Sequence, residues 1–239
     1  MAIKVFVDFD GTISKRDVGK AFFRKFGGPG CDEIVEQYRA GSLSAVECFR
    51  AEADAVGVFD RSEAERFICE QEIDATFVDF VAFCASRNIE IRILSDGLDY
   101  YIRQILDVNE IRGVQVFANH AEIIEDGGSV RLSLAFPYTD AECSRCACCK
   151  RNLILTYAGD DDIIVYVGEG YSDRCPARYA DVIFAKAELQ SFCQSENISY
   201  HLYETFGDVQ ARLGTLLAGK RQRKRLAAEH LRRDAFIRE

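Results

Sequence analysis

Three β-rich runs in this chain each stop abruptly at polar residues. Ile3–Val7 ends at Asp8, Ile89–Leu94 at Ser95-Asp96-Gly97, and Ile163–Val167 at Gly168-Glu169-Gly170. Runs of this kind suit strands buried on both faces, as in a parallel sheet covered by helices. Val114–Ala118 reads as another short strand, and Val182–Ala185 and Tyr200–Tyr203 as two more. Helical patterns separate them, over about 99–108, 149–158 and from Phe206 to the end. Strand–helix alternation predicts an α/β fold with a parallel sheet.

Two stretches break the alternation. After the first strand, Ser14 offers an N-cap and Val18, Phe22 and Phe26 recur at helical spacing. Further helical patterns follow over 32–40, 44–56, 61–71 and 75–87, punctuated by Gly27-Gly28-Pro29-Gly30, Gly41 and Gly57. We read residues 14–81 as a helical cap folded over the sheet, and residues 1–13 and 82–239 as the core. Later, Ala121–Ile124 and Val130–Leu134 flank Asp126-Gly127-Gly128, a hairpin signal that predicts a small β insertion over about 119–136.

The chain's 239 residues suffice for one core with an appended unit. The apolar runs are strand-sized and far short of a membrane span. The N-terminus enters its first strand without the pattern of a signal peptide, so a cytoplasmic protein with no membrane partner is expected. Net charge is -9, and the final twenty residues carry eight Lys/Arg against three Asp/Glu, which leaves the body at -14. An acidic body argues against nucleic acid as a partner. The basic run Lys220–Arg225 reads as the solvated face of a terminal helix, whose narrow stripe of Leu226, Leu231 and Phe236 suits docking on the body or a second subunit. Monomer and homodimer both stay open.

Of the 10 cysteines, Cys31, Cys48, Cys69, Cys84 and Cys193 fall in helical patterns and read as small core residues. Cys143, Cys146, Cys148 and Cys149 crowd into seven residues. Zinc sites of four ligands use two separated pairs, and no histidine lies close by, so reduced structural thiols lead over zinc or redox chemistry. His120 reads as a satisfied loop histidine before a substrate contact.

In an open parallel sheet, ligands gather at the C-terminal ends of the strands. Asp8, Asp10, Ser95, Asp96, Glu169 and Asp173 belong to that edge, with Lys150 at the start of a helix leading to it. So many carboxylates raise one another's pKa unless a cation neutralises them. An all-oxygen set with few protein ligands suits Mg²⁺ shared with a phosphate. Asp8 then serves as nucleophile on phosphorus, and Asp10 as acid to the leaving alcohol and base to water. Gly11 lets the backbone approach a phosphate, and Thr12 is expected to open a helix.

Asp8-Phe9-Asp10-Gly11-Thr12, Ser95, Lys150 and Gly168-Glu169-Gly170-Tyr171-Ser172-Asp173 resemble, in order, the four motifs of the haloacid dehalogenase superfamily. The resemblance spans nearly the whole chain. It implies a Rossmann-like three-layer parallel-sheet core with a helical cap inserted after the first strand. It implies a phosphatase acting through an aspartyl-phosphate on a small phosphorylated metabolite. Ser95, Lys150, Gly11, Thr12, Asp96 and Gly97 would serve the phosphate. Asp8, the Asp10 carbonyl, Glu169 and Asp173 would hold Mg²⁺. Residues 78–106, Phe117-Ala118-Asn119-His120, Cys143–Lys150 and Glu196–Tyr200 resemble more narrowly the 2-hydroxy-3-keto-5-methylthiopentenyl-1-phosphate phosphatases of methionine salvage, neighbours of phosphoserine phosphatase.

Two positions depart from the pattern. Glu169 stands where the superfamily usually has Asp, which raises the alternative of a catalytically impaired, phosphate-binding relative. Glu52 falls where phosphoserine enzymes carry a cap arginine, with Arg50 two residues earlier, which argues against phosphoserine. Asp17 and Arg50 are the cap residues expected to meet substrate.

Overall fold

The computed structural model describes residues 2–219 and 223–238. Its strands are β1 (Ile3–Val7), β2 (Val58–Phe59), β3 (Glu90–Leu98), β4 (Gln115–Asp126), β5 (Ser129–Ala135), β6 (Ile163–Gly168), β7 (Val182–Ala185) and β8 (His201–Leu202). They form one sheet in the order β2-β5-β4-β3-β1-β6-β7-β8. From the first half of β4 through β8 the pairing is parallel, while β2, β5 and the second half of β4 are antiparallel. The chain order reverses at β1, which lies between β3 and β6. A crevice therefore opens above the C-terminal end of β1.

The helices are α1 (Val18–Gly27), α2 (Gly30–Arg39), α3 (Ala45–Val56), α4 (Arg61–Cys69), α5 (Thr76–Ala85), α6 (Asp99–Val108), α7 (Lys150–Tyr157), α8 (Arg174–Tyr179), α9 (Ala187–Ser195), α10 (Phe206–Ala218) and α11 (Leu226–Arg238). Side chains alternate across a strand, so each buried strand feeds two cores. Val5, Val7, Val165 and Val167 pack with Phe80 of α5, Ile102 of α6 and Val209 of α10. Phe6, Ile164 and Tyr166 pack on the opposite face with Ile154 of α7, Ala177 of α8 and Leu189 of α9. This is the expected three-layer α/β architecture.

The helical segment after β1 is held by its own aromatic cluster. The Phe22 ring lies 4.8 Å from that of Phe26 and 6.4 Å from that of Tyr100 on α6. Burying one such side chain contributes roughly 1.5–3 kcal/mol. The segment also joins the sheet through β2, whose Val58 and Phe59 pair with Arg131 and Val130 of β5. Its two ends meet in a bridge between Ser14 and Ile73. The expected hairpin forms around Gly127 and Gly128, but its first strand is continuous with the sheet strand before it.

Several local expectations are corrected. Ser14 is not an N-cap, because its backbone is committed to Ile73; Asp17 caps α1 instead, accepting from Lys20 N at 2.7 Å. Thr12 opens no helix but sits in a turn, in which Ile13 N and Ser14 N both donate to Phe9 O. Cys69 is exposed at the end of α4, whereas Cys31, Cys48, Cys84 and Cys193 are buried as expected. The helix expected from Phe206 onward breaks between α10 and α11. The second piece folds back on the body: Arg225 Nη2 donates to Ala177 O at 2.8 Å, and Arg232 pairs with Asp181 at 3.0 Å. Lys220, Arg221 and the Phe236 side chain lie outside the described residues.

Candidate active site

β1 delivers Asp8 to the crevice, and Asp8 N donates to Val167 O of β6 at 2.9 Å. Lys150, the first residue of α7, is fully buried beneath it. Its Nζ donates to Asp8 Oδ1 at 2.6 Å, Asp173 Oδ1 at 2.7 Å and Ser172 Oγ at 3.0 Å. Thr12 Oγ1 donates to Asp8 Oδ2 at 3.1 Å. Burial pushes the Asp8 carboxyl up, and Asp173 adds to this, while Lys150 opposes it.

Asp10 is fixed from four sides. Its Oδ1 accepts from Val18 N and Gly19 N at 2.9 and 3.2 Å. Its Oδ2 accepts from Ser95 Oγ at 3.2 Å and Tyr101 OH at 3.0 Å. Burial first, then the charge of Asp17, pushes the carboxyl up to about 7. A group poised there suits both halves of an acid–base cycle near neutral pH.

Glu169 reaches the same loop. Gly11 has φ +71°, and a β-carbon on it would lie 2.7 Å from Glu169 Oε1. The glutamate side chain thus occupies the space that Gly11 leaves open. This gives no support to an impaired site at Glu169. Asp173 differs from expectation. Its Oδ1 accepts from Lys150 and from Tyr166 OH at 2.5 Å, and its Oδ2 from Glu169 N and Gly170 N at 2.9 Å each. Four bonds spend this buried carboxylate on orienting Lys150 and the β6 loop.

Asp96 also turns its carboxylate away from a phosphate role. Oδ1 accepts from Ala147 N at 2.8 Å and Cys148 N at 2.7 Å, so it pins the cysteine loop just before Lys150. Asn119 Nδ2 holds the Asp96 carbonyl at 2.6 Å. Ser95 is fully buried, and its hydroxyl must leave Asp10 to meet a phosphate. Gly97 is the closest approach in the site: a β-carbon there would sit 1.8 Å from Tyr101 Oη and 2.6 Å from Asp10 Oδ2.

A cavity of about 260 Å³ opens on these groups. Asp8, Asp10, Asp96, Gly97 and Glu169 line its floor, and Asp17, Lys20, Tyr38, Arg39 and Glu52 come from the helical segment. The two sides touch where Tyr38 OH donates to Arg145 O at 2.5 Å and Ala45 N to Ser144 O at 3.0 Å. Arg50 does not reach the cavity; it is exposed, with its guanidinium 5.6 Å from the Phe136 ring centre. Cys48 and Glu52, four apart on α3, share the inner face, and a residue two from each turns away. His120 pairs with Asp99 Oδ2 at 2.9 Å, outside the cavity lining. Tyr101 on α6 and Tyr166 on β6 carry no signal in the sequence beyond that of buried core aromatics; their hydroxyls, bonded to Asp10 and Asp173, place them in the site.

In the cysteine loop, the hydrogen bond between the two sulfurs raises Cys146 and lowers Cys149 to about 7. Among the described residues no three His, Cys, Asp or Glu side chains form a ready metal cluster, in this loop or around Asp8. Mg²⁺ does not need one, since it keeps waters and takes only one or two protein carboxylates. Asp8 and Glu169, both raised by burial and by Asp173, with the Asp10 carbonyl, are a donor set of that kind.

A family described as Putative Phosphatase matches residues 3–204. The chain belongs to this family of haloacid dehalogenase-type phosphatases. Two relatives named 2-hydroxy-3-keto-5-methylthiopentenyl-1-phosphate phosphatase, from Bacillus cereus (strain B4264) and Bacillus thuringiensis subsp. konkukian (strain 97-27), are each 30% identical over 223 residues. Each alignment covers 92% of this chain and 100% of the relative. The fold of the phosphatase is that of phosphoserine phosphatases. A phospho-aspartyl intermediate analogue of one matches with a TM-score of 0.66 at 15% identity, covering 90% of this chain and 98% of the other. A probable phosphoserine phosphatase from Vibrio cholerae matches with a TM-score of 0.70 at 16% identity, covering 94% and 68%. No helix among the described residues is long and apolar enough to cross a membrane.

Proposed function

We propose that the phosphatase hydrolyses a small phosphorylated metabolite through an aspartyl-phosphate on Asp8. One observation carries this reading: Asp8 faces the cavity while Lys150 holds its other side at 2.6 Å and Asp10 stands two residues away on the same floor. An Asp8 oxygen forms the bond to phosphorus as the ester oxygen leaves, and Asp10 supplies that oxygen's proton. Asp10 then takes a proton from the water that splits the acyl phosphate. Lys150 places a positive charge beside the growing charge on phosphate oxygens. Bound Mg²⁺ would neutralise phosphate charge, and Asp8, Glu169 and the Asp10 carbonyl are the residues suited to hold it. Asp173 acts as a positioning residue for Lys150, and Asp96 as one for the loop that leads to it.

A cavity this size, roofed by helices, admits a metabolite and not a polymer. The relatives' name supports a methionine-salvage 1-phosphate as the physiological substrate. We place the roof at residues 14–73, bounded by the Ser14–Ile73 bridge, because α5 packs on β3 and α10 with the core. Turnover of p-nitrophenyl phosphate should vanish in Asp8→Asn and in excess EDTA. Full activity of Asp8→Asn would refute the mechanism.

A further inference from the structure

Five of the carboxylates lining the cavity have their bonding spoken for, Asp10 through the four bonds described above, and a sixth, Glu169, belongs to the set suited to Mg²⁺. Asp8 has Lys150, Asp96 has two backbone N–H groups, Asp17 caps α1, and Glu188 faces Arg39 and Arg174 at 3.5 and 3.4 Å. Glu52 is different. It is 5% exposed, lines the cavity, and among the described residues has as its hydrogen-bond partner only the Cys48 thiol, a weak donor, at 3.9 Å. Among the described residues it makes no salt bridge. Burial is the main influence on its carboxyl, and the charges that add to it, Asp17 and Asp32, are both negative. Together they push it up to about 8. A buried polar group with unspent capacity calls for a partner, and the cavity is where one can come from.

The surroundings say what kind. Glu52 comes from the roof and Asp8 from the sheet edge, so a phosphate held at Asp8 turns the rest of its ester toward the roof. Phe23, Val35 and Phe49 supply apolar wall beside Glu52. A protonated carboxyl both donates and accepts, and an ionised one accepts. Either form can receive a hydrogen bond from a hydroxyl or an ammonium. A substrate carboxylate in the same place would meet a like charge with little water to screen it.

We propose that Glu52 is a specificity-determining residue, which receives a hydroxyl or ammonium on the organic part of the substrate and selects against a carboxylate there. The inference rests on the phosphatase reading of the cavity. Glycerol 3-phosphate and 3-phosphoglycerate differ only in a terminal hydroxymethyl against a carboxylate, and phosphoethanolamine supplies the ammonium. The kcat/KM ratio of glycerol 3-phosphate to 3-phosphoglycerate should fall at least about tenfold in Glu52→Gln, chiefly through KM, a change equivalent to about 1.4 kcal/mol. Phosphoethanolamine should lose more in this variant than glycerol 3-phosphate does. In the wild type the ratio should grow between pH 6.5 and 9, as Glu52 loses its proton, and stay flatter in Glu52→Gln. Asp17 on the α1 cap, Asp32 and Cys31 on α2, Cys48 on α3, and Lys20 and Arg39 face the same space and are unaltered in the variant. The comparison therefore isolates Glu52. p-Nitrophenyl phosphate turnover and a thermal melt show that the variant is folded. A wild type inactive on every ester overturns the phosphatase reading itself. An active wild type whose ratio moves less than about threefold in Glu52→Gln, or a gain on phosphoethanolamine, overturns the role of Glu52 alone.

Discussion

Replacing Lys150 with Met keeps the length of the side chain and removes the cation bonded to both Asp8 and Asp173. Lys150 is fully buried, as is Asp173, and Asp8 is nearly so, so water cannot take over the ammonium's work. Breaking a buried ionic network by deleting one partner costs about 3–5 kcal/mol, because the remaining charges stay buried without compensation. For a chain of this length that corresponds to a fall in Tm of roughly 6–20 °C. The measurement is urea unfolding in EDTA, so that no divalent ion substitutes for the lysine. The penalty has a definite pH dependence. Without Lys150 the native carboxyls hold protons that the unfolded chain releases, so the variant loses stability as pH rises above the unfolded carboxylate range. The loss should be greater at pH 7.5 than at pH 5.5. A second substitution, Asp173→Asn, removes one of the stranded charges and should recover at least about 1 kcal/mol of it. A loss below about 1 kcal/mol at pH 7.5, or strict additivity of the two substitutions, would refute the account of Lys150 as the charge that holds the site together.

Two further outcomes follow from close approaches. Gly97→Ala should drive Tyr101 off Asp10 and lower kcat on p-nitrophenyl phosphate by about 10–100-fold with the fold intact by circular dichroism, since small displacements in a positioned site cost that much; wild-type kinetics would disprove the contact's importance. Glu169→Asp withdraws the carboxylate from Gly11 by about one C–C bond, so a Mg²⁺ titration should show half-saturation moving at least about fivefold higher. An unmoved Mg²⁺ curve would remove Glu169 from the ligand set.

The strand tips are legible because β-rich runs that end at polar residues, alternating with helices, mark the edge of a parallel sheet where ligands gather. Asp8, Asp10 and Lys150 converge as their order in the chain implies, although nothing local in Lys150 distinguishes it from a solvated lysine. The bonding of Asp173 is not legible in the sequence, which does not show which lone pairs the backbone, Lys150 and Tyr166 take. Ser14 and Asp17 are equally good caps on paper, and the Ser14–Ile73 bridge decides between them. The two-residue strand β2 has no periodicity to read and exists only because β5 is there to pair with it. Arg50 was drawn into the site by its charge, and the 100° step of the helix turns it out again.

The loop from Cys143 to Cys149 has a consequence beyond its thiols. Surface loops ordinarily absorb insertions with little harm. This one is fastened at Ser144 and Arg145 to the roof and at Ala147 and Cys148 to Asp96, and its next residue is Lys150. One residue added between Cys148 and Lys150 would turn the start of α7 by about 100° and carry the ammonium away from Asp8. Its length is therefore a tolerance in the engineering sense: composition there can drift, but the count of residues cannot.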